Sequence, residues 1–309
     1  MKIAIIGAGG VGGYFGAKIA QAGYAVSFVA RGEHLQAIKA RGLTVKSIGG
    51  DFHCIPAQAT DRIADIGEAD VIILGVKAWQ IKSIVDELKT VVTEKTSIVP
   101  LQNGILAIEE LKEKIPRQNI LGGLCLIAAC IEEAGVVNHS GIPPTIIFGE
   151  MSGVKTPRAQ QIKDIFDTSG IQSRVSVDIH ADVWRKFIAI CVSGLSALTK
   201  STYGELRALK ETRDMIMAIL TEGYRLSQKM GIALESDCVD TAMKLIDFYP
   251  FETTPSLARD IWEGKPSELE YQNGTIVKLG KRYEVDTPIN DFIYRCILPM
   301  EMKARKRPE

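Results

Sequence analysis

The stretch that most restricts what this chain can become lies at its start. Residues 3–6 form a short β-branched run, followed at once by Gly7-Ala8-Gly9-Gly10-Val11-Gly12-Gly13 and then by apolar-periodic residues from Tyr14 to Ala22. That order reads as strand, tight turn, helix. Gly23 ends the helix, and Tyr24-Ala25-Val26-Ser27-Phe28-Val29 resumes a strand that stops at Arg31-Gly32, which completes a βαβ unit. Glycines spaced Gly-x-Gly-x-x-Gly are weak evidence alone; opening a helix straight after a buried-type strand, they are a dinucleotide-binding fingerprint. Gly7 permits the turn, Gly9 lets the backbone approach a pyrophosphate, Gly12 allows close helix–strand packing, and the helix N-terminus faces the negative charge.

The same alternation continues. Asp70-Val71-Ile72-Ile73-Leu74-Gly75-Val76 is apolar enough for a strand covered on both faces, as parallel sheets require. A helical stretch from Gln80 to Leu88 and the strand Ser97-Ile98-Val99-Pro100-Leu101 follow. Residues 120–150 break into short strand-like pieces, expected to be the far edge of the same sheet; 158–168 read as a helix and Gln172–Val177 as a last edge strand. From Val183 onward, apolar spacing of three and four dominates over Val183–Leu198, Thr212–Met230 and Asp237–Ile246. The expected fold is therefore α/β: a Rossmann-type, doubly wound parallel sheet over 1–177, then a mostly α-helical domain over 178–309 that completes the active site.

A chain of 309 residues has material for two cores. Lys plus Arg equals Asp plus Glu, 37 against 37. That balance lacks the electrostatic footprint of a nucleic-acid or membrane-surface protein, so a small-molecule partner is expected. The basic tail Lys303-Ala304-Arg305-Lys306-Arg307 reads as a solvated end. The opening apolar run falls short of the roughly 7–15 residues of a secretory segment. No stretch approaches the ~18 apolar residues of a membrane span, and a cytoplasmic enzyme is expected. The cysteines, Cys54, Cys125, Cys130, Cys191, Cys238 and Cys296, lack the close spacing of a zinc site or redox dithiol and read as buried free thiols, with no metal. Neither composition nor pattern decides between a monomer and a homodimer; a homodimer is the working expectation.

At the end of the second strand, where a carboxylate would select NAD, the chain carries Arg31. A guanidinium suits a 2′-phosphate, which favours NADP; Glu33 two residues on keeps a plain surface arginine open as the alternative. An FAD-type domain is a minor alternative without the long adenylate architecture. Reducing a ketone also needs a proton donor at the carbonyl oxygen. None of His34, His53, His139 and His180 falls where a dehydrogenase acid is expected. Two lysines stand out: Lys77 at the carboxyl edge of the sheet, where open α/β folds bind ligands, and Lys186 in Val183-Trp184-Arg185-Lys186-Phe187 near the start of the first long helix. Most lysines are solvated surface charges, so position alone does not choose between them.

The chain resembles the ketopantoate reductases (2-dehydropantoate 2-reductases) over essentially its whole length. The match runs through Gly7-x-Gly9-x-x-Gly12, Arg31, Lys77-Ala78-Trp79-Gln80, Gln102-Asn103-Gly104, Trp184-x-Lys186, Ser256 and Glu268 through Asn273-Gly274. The resemblance implies NADPH-dependent reduction of ketopantoate to pantoate, as in pantothenate biosynthesis. Lys186 would be the general acid donating to the 2-keto oxygen, and Glu268 would hold the lysine or the substrate hydroxyl. The cofactor would lie on Gly7, Ala8, Gly9, Gly10, Val11 and Gly12 with Arg31. Lys77 would contact the cofactor or organise the cleft, Asn103 would lie between cofactor and substrate, and Ser256 would bind the substrate carboxylate. The plainer readings are a turn asparagine, a helix-capping serine after Pro255, and a solvated lysine.

One departure stands out. The biosynthetic enzymes carry substrate-binding asparagines four and eight residues after the lysine; here those positions are Ile190 and Gly194. Unpaired polar ligand groups cost about 1–3 kcal/mol each, which favours a more apolar or differently shaped keto acid over ketopantoate. The alternatives are an NADPH reductase of another 2-oxo acid or ketone, a hydroxyacid dehydrogenase of the helical β-hydroxyacid type, and a non-catalytic NADP-binding regulator. Lys186 and Glu268, both present, argue against the last.

Overall fold

In the computed structural model, which describes residues 1–306, the first strands alternate their side chains between two cores. Along β1 (Lys2–Ile6), Ile3 and Ile5 enter one buried cluster, while Ala4 and Ile6 enter another. That is why its sequence is apolar without a break: both faces of a parallel sheet must be covered. The chain divides into two compact units, one of Met1–Gln102 with Leu106–Ile179, the other of Asn103–Ile105 with the residues from His180 onward.

In the first unit, α1 (Gly10–Gln21) follows β1, then come β2 (Ala25–Val29), α2 (Gly32–Arg41), β3 (Leu43–Ser47), β4 (Phe52–Cys54), β5 (Gln58–Thr60), β6 (Val71–Leu74), α3 (Ile81–Lys89), β7 (Ser97–Pro100) and α4 (Ala107–Lys112). The long pair β8 (Gly122–Glu133) and β9 (Val136–Gly149), α5 (Pro157–Thr168) and β10 (Gln172–Val175) complete it. A five-stranded sheet has the order β5-β2-β1-β6-β7, all parallel. Strand order reverses at β1, so the turn after β1 lies at the topological switch point, where open α/β sheets bind ligands. The helices α3 and α4 pack on one face through Ile81, Ile84, Leu88 and Leu111, and α1 packs on the other through Phe15 and Ile19.

The expected far edge is different. Residues 120–150 do not extend the first sheet; Ile120 makes one parallel bridge to Ile98, after which β8 pairs antiparallel with β9 in a second sheet, β10-β9-β3-β4. Gly123 marks the departure: a side chain there would meet the Pro100 carbonyl oxygen at 2.5 Å. The edge strand β10 is present, but as a parallel neighbour of β9.

The second unit is helical: α6 (Ile179–Ile190, its first residue counted with the first unit), α7 (Ser193–Thr199), α8 (Tyr203–Ala208), α9 (Lys210–Lys229), α10 (Cys238–Phe248), α11 (Ser256–Trp262), α12 (Asn273–Tyr283) and α13 (Pro288–Arg305). Along α9 the buried positions Ile216, Ile219, Leu220, Gly223 and Leu226 form one stripe at helical spacing. Ile216, Ile219, Leu220 and Leu226 join Trp184, Phe187, Leu195, Leu257, Ile276 and Ile293 in a single core. The helix expected over Val183–Leu198 is two helices, interrupted after Ile190. Cys130 and Cys296 are exposed thiols rather than buried ones, and the other four are buried. In the basic tail Lys303, Arg305 and Lys306 are exposed, as a solvated end requires; Arg305 also pairs with the buried Glu301 at 2.7 Å and donates to the Ser267 carbonyl at 2.9 Å, and Arg307 lies outside the described residues. Among the described residues no helix is long and apolar enough to cross a membrane, and no cluster of His, Cys, Asp and Glu could hold a metal ion.

Candidate functional site

In the first unit, the turn after β1 is built by glycines with different reasons to be glycine. Gly7 has φ 94°, and a Cβ there would meet the Val76 backbone nitrogen at 2.7 Å. Gly12 is closer still to its neighbours: a Cβ would lie 2.1 Å from the Gly7 carbonyl oxygen. Gly75, just beyond β6, completes this contact, its Cβ position lying 2.8 Å from the Gly12 Cα, a role that its place at the end of an apolar run does not announce. Gly10 faces the Ala129 carbonyl oxygen, 2.4 Å from its Cβ position. Gly9 is the exception: among the described residues, and apart from its chain neighbours, no atom lies within 4 Å of the place its side chain would take. Packing does not ask for glycine at position 9, but a pyrophosphate drawn close to the backbone does.

The N-terminus of α1 suits the same anion. Gly9 is its N-cap, with no side-chain cap and no acidic residue in the first turn, so the first N–H groups and the helix dipole are not neutralised from within α1. Ala8 lies in the turn before α1 and Val11 in the first turn of the helix, and the Gly7 and Ala8 N–H groups both donate to the Val29 carbonyl at 3.0 Å, fixing the turn on β2. His34 supports it from α2: Nε2 donates to the Ala8 carbonyl at 2.9 Å, and Nδ1 accepts from the Gly135 N–H at 3.0 Å. Both partners fix the neutral Nε2–H tautomer, and burial lowers the imidazole pKa, which favours that form. Arg31 is the exposed N-cap residue of α2, two residues beyond β2. Lys77 lies half-buried beyond β6, its N–H donating to Gln80 Oε1 at 2.9 Å, so Gln80 shapes the turn that carries it. Gln102, buried, donates to the Leu74 and Val76 carbonyls at 2.8 and 3.0 Å.

In the second unit, Lys186 and Ile190 stand one turn apart on α6, both half-exposed, while Trp184 and Phe187 anchor the other side of the helix in the core, edge to face at 5.4 Å. The adjacent Arg185 is neutralised by a two-point bond to Glu235, at 2.6 and 2.8 Å, and by Asp182 at 2.8 Å. Among the described residues, the Lys186 ammonium has no hydrogen bond or ion pair. It therefore makes no pair with Glu268, which bonds instead with Asn103: the Asn103 amide donates to Glu268 Oε2 at 2.9 Å. Glu268 is only 3 % exposed. It follows Ser267, which is anchored to Glu301 through its backbone N–H at 3.1 Å and its hydroxyl at 2.5 Å. Gly104, φ 90°, lets the chain after Asn103 pass against the Tyr271 carbonyl. Ser256 is the first residue of α11 and does not cap it, Pro255 being the N-cap; among the described residues its half-buried hydroxyl makes no hydrogen bond.

Family models described as ketopantoate reductase PanE/ApbA match residues 3–153, and that family's C-terminal part matches residues 178–301. The chain belongs to the ketopantoate reductase family. It is 29 % identical over 312 residues to a 2-dehydropantoate 2-reductase of Nostoc sp. (98 % of this chain and 96 % of the relative). Its fold superposes with a TM-score of 0.90 on a PanE/ApbA family ketopantoate reductase from Ralstonia eutropha JMP134, at 26 % identity and covering 99 % and 100 % of the two chains. A D-mandelate dehydrogenase in a ternary structure with NADH and anilino(oxo)acetate gives the same TM-score of 0.90, identity of 26 % and coverage of 99 % and 100 %. Members of this kind are oxidoreductases acting on CH–OH groups with a nicotinamide cofactor.

Two positions depart from the ketopantoate reductase pattern in different ways. Ile190 is half-exposed and lies outside the helical core. Gly194 is buried, and a Cβ there would meet Asn273 Oδ1 at 2.3 Å and Ile293 at 2.7 Å. An asparagine at position 194 would run into Asn273. Asn273 carries part of the family motif, but its spacing alone gave no sign of what it touches.

Proposed function

We propose that this ketopantoate reductase family member reduces a 2-oxo acid to the 2-hydroxy acid with NADPH, with 2-dehydropantoate to pantoate as the reference reaction. The observation that carries the reading is Lys186: a half-exposed ammonium without a counter-ion among the described residues, next to an Arg185 that is fully paired. A bound nicotinamide supplies the hydride. Lys186 donates the proton to the 2-oxo oxygen. Glu268, held by Asn103, accepts hydrogen bonds from substrate or product hydroxyl, and the Ser256 hydroxyl is free to receive the carboxylate. Gly9 and the uncapped start of α1 hold the pyrophosphate, and Arg31 supports NADPH through a charge-assisted bond to the 2′-phosphate. Lys77 borders the cofactor.

A second substrate reading rests on Ile190. An apolar side chain one turn from the lysine favours a 2-oxo acid whose substituent is branched or aromatic over the hydroxylated ketopantoate, and the fold shared with a D-mandelate dehydrogenase bound to anilino(oxo)acetate supports it. NADPH oxidation measured with ketopantoate, 2-oxoisovalerate and phenylglyoxylate separates the two. A kcat/KM highest for ketopantoate assigns the biosynthetic reaction; a preference for the apolar acids, reversed toward ketopantoate by Ile190→Asn, assigns the second; no turnover of any 2-oxo acid removes the reading.

A further inference from the structure

The break that follows Ile190 is held by residues with no assigned role. Between α6 and α7 the backbone tightens to bonds three residues back, Cys191 N–H to the Ile188 carbonyl at 3.2 Å and Gly194 N–H to the Cys191 carbonyl at 3.3 Å. Two buried side chains just beyond Glu268 grip it. Ser193 Oγ donates to Gln272 Oε1 at 2.6 Å, and Asn273 Nδ2 donates to the Cys191 carbonyl at 2.9 Å. Both Gln272 and Asn273 are buried, Asn273 completely.

The grip is oriented from a distance. Asn273 Nδ2 also donates to Asn290 Oδ1 at 2.9 Å, and Asn290 Nδ2 donates to Glu222 Oε2 at 2.7 Å. Glu222, buried on α9, further accepts from the Ile289 and Asn290 N–H groups at 2.8 and 3.0 Å. A carboxylate only accepts, so Asn290 must turn its NH₂ to Glu222 and its oxygen to Asn273, and Asn273 must then turn its NH₂ to Cys191. Among the described residues the remaining Asn273 Oδ1 finds no donor, and it faces Gly194, whose missing Cβ gives it room.

We propose that Asn273 and Gln272 are positioning residues for Lys186. By locking the α6–α7 break to the segment that bears Glu268, they set the rotation and height of the last turns of α6, on which Lys186 and Ile190 stand, relative to Glu268. Glycine at 194 belongs to this lock, as the space Asn273 Oδ1 occupies. The proposal rests on Lys186 as the proton donor.

The test uses Ser193→Ala, Ser193→Thr and Asn273→Ala in the full-length protein, each alone and with Lys186→Ala. Steady-state kinetics are read alongside the NMR titration of Lys186 as its ¹³C-dimethyl derivative, assigned with Lys186→Arg. The expected result is a kcat lowered ~10- to 100-fold by Asn273→Ala and less by Ser193→Ala, with recovery in Ser193→Thr. NADPH affinity stays within about twofold, the Lys186 titration shifts, and no further loss appears in the Lys186→Ala background. An unshifted Lys186 titration, or the same fold-loss with and without Lys186, overturns the proposal. If Asn273→Ala does not fold, Ser193→Ala decides by the same readouts. If Lys186→Ala keeps full turnover, the reading of Lys186 as proton donor fails, and the Lys186 titration alone then decides whether the lock acts on it.

Discussion

Asn103 donates its side-chain amide to Glu268 across 165 residues of sequence, at 2.9 Å. The bond gives the nearly buried carboxylate a fixed orientation and a partner. Hydrogen bonds to charged groups are worth about 1.5–3 kcal/mol, so Asn103→Ala is expected to lower kcat/KM about 10- to 100-fold. Asn103→Asp is expected to be worse at neutral pH, because two adjacent carboxylates cannot both ionise freely and one pKa must rise. Steady-state kinetics across pH check both, and the Asn103→Asp loss is expected to ease as pH falls.

The glycines of the first turn separate packing from binding. Gly12→Ala forces a methyl group onto the Gly7 carbonyl and is expected to cost about 1–3 kcal/mol of stability or more. Among the described residues Gly9→Ala meets no atom within 4 Å beyond its chain neighbours, so Tm is expected to hold while NADPH affinity falls about tenfold or more. Thermal unfolding and NADPH fluorescence titration, read together, test the pair.

Arg31→Ala is expected to weaken NADPH binding by about 10- to 100-fold, the loss of a charge-assisted contact, and to leave NADH binding nearly unchanged. Direct titration of both cofactors gives the ratio. An equal loss for both would assign Arg31 to a role other than 2′-phosphate recognition.

How much of this was legible in the sequence depends on the range of the interactions. The βαβ start, the parallel strands and the helical second unit are set by local periodicity and by glycine at fixed spacing, and they are where the pattern predicts. The placement of residues 120–150 is not local: β8 and β9 pair mainly with each other, and β9 then pairs with β3, a strand of five residues whose pattern is too short to announce itself. The same holds at the site. Lys186 and Glu268 stand out by position and family motif, but one residue that Glu268 bonds, Asn103, is 165 positions away. The role of Gly194 shows only once Asn273 lies against it.

His34 makes a pH prediction. Burial lowers its folded-state pKa below the ordinary 6.5. The unfolded chain then binds the proton more readily, so the contribution of His34 is fully present above about pH 6.5 and is lost as pH falls through the lowered folded value. Protonation would put a second N–H at Nδ1 against the Gly135 N–H, removing that acceptor and pushing the ring, which still donates from Nε2 to the Ala8 carbonyl, out of its seat beside the turn. NADPH affinity is expected to fall on the acid side together with the His34 titration followed by NMR, and His34→Gln is expected to flatten that dependence.

The most direct measurement is NADPH oxidation by the purified protein across 2-oxo acids, with Lys186→Ala and NADH in parallel and cofactor binding titrated for each. The expected result is turnover of at least one 2-oxo acid, faster with NADPH than NADH, that falls by about 10²–10⁴-fold in Lys186→Ala while NADPH still binds. Undiminished turnover in Lys186→Ala, or tight NADPH binding with no reduction of any 2-oxo acid, would contradict it.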